Sequence, residues 1–366
     1  MSKYFLTDTA VKMFCPGNVM QLDDAGLPSI LVYIPKFKNS DVLTGGDDNT
    51  HPAFIVNDKE IDGFYYSKYQ NVVHNGKAYS LPGEAIPTSI SFDNALKYSE
   101  AKGYGWHLST AAEWAAIALW CKANGFQPYG NNSNGKDSRE TEYKAIPTQY
   151  NADGTIAAVA TGTGPLTWSH DNTASGIWDM NGNAAEFVGG IRLVWGELQI
   201  LENNNAADPD TPQNATSTCW KAINAADGSL VEPESSPTDS EAKLEGNTVR
   251  FDLVNQSWTY STTITAPEAS YFTCRFSDLK CTNDISEEAK NLLRLLALLP
   301  EEGATASSYG QDAVYLHRKE REVFLYRGGS FEAGTEGGIF QGSFSINRNA
   351  STTKAGFRAA YIPDII

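Results

Sequence analysis

The side chains best able to do covalent or metal chemistry are few and scattered. Cys15, Cys121, Cys219, Cys274 and Cys281 could act as thiolate nucleophiles or soft metal ligands, but no two form a Cys-x-x-Cys pair. They read as buried free thiols, and only a hairpin would bring Cys274 and Cys281 together. The histidines, His51, His74, His107, His170 and His317, show no His-x-x-x-His spacing. Gly-x-Ser-x-Gly, His-Glu-x-x-His and phosphate-loop patterns are also absent. Residues 41–49 carry Asp41, Asp47 and Asp48 around Gly45-Gly46, oxygen donors suited to a hard cation. That loop lacks the spaced ligand set and closing glutamate of a calcium loop, and it reads as solvated surface.

A different pattern fills residues 327–358, where regular anchors alternate with residues of no common chemistry. The anchors are Arg327, Gly328, Gly329, Phe331, Gly338, Phe340, Phe344, Arg348, Gly356, Phe357 and Arg358. Glycines supply backbone conformations barred to other residues, phenylalanines bury large apolar area, and a guanidinium satisfies several acceptors at once. Between them lie Glu332, Ala333, Thr335, Glu336, Gln341, Ser343, Ser345 and Ile346, expected to be exposed and to form a contact face. A second block, residues 176–201, alternates apolar residues at Ile191, Leu193, Leu198 and Ile200, predicting a hairpin that turns at Trp195-Gly196-Glu197.

Residues 327–358 resemble the variable region of diversity-generating-retroelement variable proteins, whose C-type lectin fold is of the formylglycine-generating-enzyme kind. Two further stretches carry the resemblance. Trp178, Asp179, Gly182, Asn183, Glu186 and Phe187 are similar to the W-D-x-x-G-N-x-x-E-[WF] motif of those enzymes, and GFYYSKYQ at residues 63–70 is similar to an early strand of the fold. The resemblance implies an α+β, C-type lectin-like fold with a large insertion. It also implies a scaffold whose in-between positions are diversified to bind ligands. The ligand class it implies is a bacterial surface protein or glycan, reached from a phage tail, with phage tail proteins and further copies of the chain as additional partners. Framework aromatics such as Trp168 would supplement a contact face that is itself small and acidic. No cofactor is required, although a structural calcium on Asn181, Gly182, Ala184 and Glu186 is implied by relatives. The alternative is an oxidoreductase related to formylglycine-generating enzymes or sulfoxide synthases. Residues 327–358 contain neither cysteine that the former chemistry uses, so a non-enzymatic role is expected.

The remaining elements must position these blocks. Residues 30–34 read as a buried strand. Residues 53–69 read as a hairpin turning at residues 57–60. Ser91 predicts a helix over residues 92–102. Thr110 and Glu113 have the spacing of a capping box, and Ser286 predicts a helix over residues 287–299. The chain divides into residues 1–50, residues 51–202 as the first part of the core, an insertion at 203–322, and residues 323–366 closing the core. A net charge of −16 argues against nucleic-acid binding, and residues 292–299 are too short an apolar run for membrane insertion. No signal-peptide run is expected, so synthesis in the cytoplasm is expected, with the virion or the cytoplasm as destination.

Overall fold

The computed structural model describes residues 3–87 and 89–363. Among the described residues, four α-helices, α1 (Phe5–Phe14), α2 (Phe92–Glu100), α3 (Ala111–Ala123) and α4 (Glu287–Leu295), accompany a strand-rich body, an α+β arrangement. The strands used below are β1 (Asn18–Leu22), β2 (Pro28–Pro35), β3 (Gly63–Ser67), β4 (Trp106–Leu108), β5 (Ala185–Val194), β6 (Glu197–Ile200), β7 (Glu245–Val254), β8 (Ser257–Thr263), β9 (Tyr271–Arg275), β10 (Ala313–His317), β11 (Val323–Arg327), β12 (Gly342–Ile346), β13 (Ala355–Phe357) and β14 (Ala359–Tyr361).

Two sheets organise them. One has five strands in the order β1-β2-β3-β14-β4. The other has twelve, and its main path runs β9-β10-β12-β11-β5-β6-β7-β8, with β13 beside β5. Strands from residues 203–322 therefore continue the same sheet that carries β11 and β12. The chain passes from the large sheet to the small one between β13 and β14, and Arg358 is the residue at that crossing.

Local sequence explains the helices. Thr110 Oγ1 accepts from the Glu113 N–H at 3.1 Å while Glu113 Oε2 accepts from the Thr110 N–H at 3.0 Å, a reciprocal cap for α3. Ser91 and Ser286 cap α2 and α4 in the simpler way. The last of these stops at Leu295, short of the expected 299. Leu296 and Ala297 turn out of the helix, Ala297 at φ +50°, and Arg327 takes their carbonyls at 3.1 Å each. The α1 helix was not legible in the sequence. It buries none of its residues, and Leu6, Met13 and Phe14 are exposed.

The hairpin expected over residues 53–69 is cut short. Asn57 and Asp58 do turn the chain with positive φ, but only Ile55–Val56 and Lys59–Glu60 pair across them. Gly63–Ser67 pairs instead with β2 and with the distant β14. The turn after β5 is tighter than expected, since Trp195 (φ +51°) and Gly196 (φ +88°) alone reverse the chain and Glu197 already belongs to β6.

Candidate functional site

The variable-looking segment is fixed from below by buried donors and acceptors. Gly328 and Gly329 follow β11 with φ of +87° and +78°, and a Cβ at Gly328 would lie 2.8 Å from the Met180 carbonyl oxygen. This bend brings the chain over α3, whose Trp114 indole N–H donates to the Ile339 carbonyl at 2.8 Å. The Asn134 N–H donates to the Phe331 carbonyl, and the Gly334 N–H to the Asn132 carbonyl. Phe331, Phe340 and Phe344 are buried, and Phe340 packs edge-on against Tyr309 at 4.8 Å. Arg348 is bidentate to Glu322 at 2.9 and 3.1 Å and reaches Asp93 at 2.7 Å, with its guanidinium over the Phe324 ring.

The proposed contact residues differ in exposure, and Ser345 is half-buried. Glu332, Thr335 and Glu336 are exposed and Ala333 is half-buried. Glu332 is ion-paired with Lys354, and Glu336 accepts from the Tyr315 hydroxyl. Gln341 and Ser343 correct the expectation of exposure, at 3% and 1%. Gln341 sits beneath the loop, its N–H donating to the Gly338 carbonyl at 3.0 Å, and Ser343 lies in a central strand. Ile346 is half-buried against the cluster that contains Phe324 and Phe187, the cluster on which Tyr326 also packs. Trp168 is likewise no surface aromatic: it is fully buried, and its indole N–H donates to Glu140 at 3.1 Å.

What the sequence reading missed is the row of side chains around Ser343. Register places Thr273 opposite Tyr315, Tyr315 opposite Ser343, and Ser343 opposite Tyr326 across β9, β10, β12 and β11. Directly opposed residues share a face of the sheet, so these four point the same way. Two residues along, Tyr271 opposes His317 with ring centroids 4.6 Å apart, and Ser345 bonds the Tyr326 hydroxyl at 2.7 Å. Tyr271 is 52% exposed. Tyr315 and Tyr326 are half-buried and flank Ser343 from both sides, which accounts for its low exposure. The opposite face of the same strands carries Val314, Leu316, Leu325 and Phe344 into the core. A period-2 signal was present in VYLH and SFSI, but the strands had to be aligned before it became a surface.

The oxygens implied to hold calcium do in part converge. Gly182 O, Ala184 O and Glu186 Oε1 meet with Asp179 O, and the atom they surround is the amide nitrogen of Gln70, at 3.3, 2.7, 3.0 and 3.3 Å. Both Glu186 oxygens also accept from Arg358, at 2.6 and 3.0 Å. Asn181 points elsewhere: its amide donates to the Pro128 carbonyl at 3.0 Å and its oxygen accepts from Asn132 at 3.3 Å. Calcium requires about six to eight oxygens at ~2.3–2.6 Å. This set offers four, around a neutral amide and a carboxylate already neutralised by a guanidinium, so the residues do not fit the ion. In residues 41–49, Asp47 accepts from Asn39 and Asn49, while Asp41 accepts from the Lys38 N–H. Those carboxylates serve the loop's own turns.

Asp312 fastens the loop over residues 328–340 to the preceding segment. Its carboxylate accepts from the Phe340 N–H at 2.8 Å, and a Cβ at Gly338 would lie 2.1 Å from one of its oxygens. Burial raises its pKa to about 7, against the lowering influence of the Phe340 N–H and the Arg139 guanidinium. Between pH ~4 and 7 the folded chain therefore retains a proton that the unfolded chain has lost. This group's contribution to stability is largest at low pH and falls as pH rises to about 7. Asp312→Asn is expected to stabilise the protein at pH 8 by ~1–3 kcal/mol and to change little at pH 4, read from urea midpoints at both values. A midpoint lowered at pH 8 would show that the ionised carboxylate is needed.

No family model and no curated protein matches the chain. Two solved structures are similar to it over most of its length. A Major Tropism Determinant P3c variant is 9% identical with a TM-score of 0.32, covering 94% of this chain and 71% of that one. PvdO from Pseudomonas aeruginosa is 12% identical with a TM-score of 0.30, covering 91% and 94% respectively. Both likenesses are distant, and the site rests on its own geometry.

Proposed function

We propose that this chain is a ligand-display protein of the C-type lectin-like kind, a receptor-binding protein carried on a phage tail whose ligand is a bacterial surface protein. The observation that carries the reading is the tyrosine–serine face of β9, β10, β12 and β11. Tyrosine offers a large, rigid, amphipathic contact at low entropic cost, and serine beside it adapts to either hydrogen-bonding partner, the composition of antibody binding loops. Glu336, which accepts from the Tyr315 hydroxyl, adds a carboxylate to the border of that face.

A non-enzymatic role is supported by where the thiols lie. Cys121, Cys274 and Cys281 have pKa values raised by burial, Cys281 to about 12, which suppresses the thiolate at neutral pH. None of the described cysteines belongs to the outward face.

The test uses fluorescently labelled protein on a panel of bacterial strains. Each central tyrosine in such a face is worth ~2 kcal/mol, or about 30-fold. Combined replacement of Tyr271, Tyr315 and Tyr326 by alanine is expected to remove adsorption to strains the parent protein binds. A variant that stays folded and still adsorbs would overturn the reading.

A further inference from the structure

A groove of about 970 Å³ opens between residues 306–312, the segment after α3, and Thr335 to Phe340. That is at the upper end of the ~300–1,000 Å³ typical of small-molecule sites. We propose that this groove binds a short neutral oligosaccharide.

The charge pattern excludes an ionic ligand. Two cations line the groove, and each already has a carboxylate partner: Lys122 is bound to Glu301, and Arg139 is bound to Asp137 at 2.7 and 2.9 Å. Arg139 also covers the Tyr129 ring at 3.6 Å. The Asp312 carboxylate is buried and turned to the Phe340 N–H. What remains facing the opening is neutral and bifunctional: the amides of Gln127, Asn172 and Gln311 and the hydroxyl of Thr335, all on exposed residues. Amides and hydroxyls that both donate and accept match the paired hydroxyls of a sugar ring. The aliphatic face of such a ring needs a flat apolar surface, which Phe126 provides, its other side stacked on Trp120 at 5.7 Å and 14°. One bond between lining residues, Gln127 Nε2 to the Ser307 carbonyl, is long at 3.4 Å and is easily exchanged for a ligand hydroxyl. A peptide would be served poorly, because the groove offers it neither an open strand edge nor a deep apolar socket.

None of Tyr271, Tyr315 and Tyr326 lines the groove, so either proposal can fail without the other. The full chain is titrated with maltotriose, N,N′,N″-triacetylchitotriose and 3′-sialyllactose, with saturation-transfer NMR and calorimetry as readouts. At least one neutral trisaccharide is expected to bind with a Kd of ~1 mM, the range of a small polar ligand held by few contacts. Gln127→Ala with Gln311→Ala should weaken it at least ~10-fold, and Ser307→Trp, which fills the groove from an exposed position, should abolish it. The alanine variant of Tyr271, Tyr315 and Tyr326 should bind the sugar as before. The proposal is overturned if neither neutral sugar gives a signal at ~10 mM, if only sialyllactose does, or if binding survives Ser307→Trp in a folded protein. It is also overturned if the tyrosine variant alone loses the sugar, because the ligand would then sit on the sheet face.

Discussion

Arg358→Ala should destabilise the protein by ~3–5 kcal/mol, the cost of leaving a buried carboxylate without its counter-charge. Arg358 is fully buried and joins both oxygens of Glu186, itself 1% exposed, at 2.6 and 3.0 Å. The same guanidinium donates to the carbonyls of Ser67, Lys68 and Trp178. Those carbonyls lie at the end of β3 and in the turn before β5, so the side chain ties the two sheets together where the chain passes between them. Lysine has the charge but not the fork, and Arg358→Lys should recover only part of the loss. Guanidinium denaturation measures both; a midpoint that does not move in Arg358→Ala would mean the crossing is held by the β13 and β14 ladders alone.

Gln70→Ala should cost ~1–3 kcal/mol, because several buried oxygens would lose their shared donor. Here the geometry makes a choice between ions and amides testable. If Gln70 does the work of a cation, the parent protein keeps its melting temperature in excess EDTA and gains nothing from millimolar-scale calcium. Gln70→Ala should then be less stable than the parent under both conditions. A calcium-dependent rise in the parent would show that the amide gives way to the ion. Gln70 and Arg358 meet on Glu186 Oε1, so the double variant should depart from additivity by ~0.5–3 kcal/mol.

Much of the local architecture was legible from short-range signals. The capping box of Thr110 and Glu113, the serine caps of α2 and α4, and the reversal at Trp195-Gly196 all depend on residues within four positions of one another. What was not legible depends on distant partners. The strand at Gly63–Ser67 is completed by β14 nearly at the other end of the chain, and no local pattern announces that. Ser343 looks exposed in a sequence because it is small and polar, yet Tyr315 and Tyr326 crowd it from neighbouring strands. Two of the tyrosines in that face, Tyr271 and Tyr315, come from residues 203–322, a stretch that reads as an interruption rather than a contributor. The engagement of Glu186 was hidden for a related reason: its counter-charge, Arg358, is supplied from 172 residues away.

The position of β12 within the large sheet has a consequence for how freely its surface can change. It is an inner strand, hydrogen-bonded to β10 on one side and β11 on the other. Its alignment is set by main-chain ladders that any residue except proline can complete, while Phe344 and Ile346 fasten it to the interior. Outward positions on an edge strand would risk sticking to other molecules with each new hydrophobic residue, through an open backbone. Here both backbone rims are already closed, so replacing the half-buried Ser345 alters what the molecule touches without offering a strand to recruit. Residues 203–322, by supplying β9 and β10, convert this strand from a border into a protected interior row.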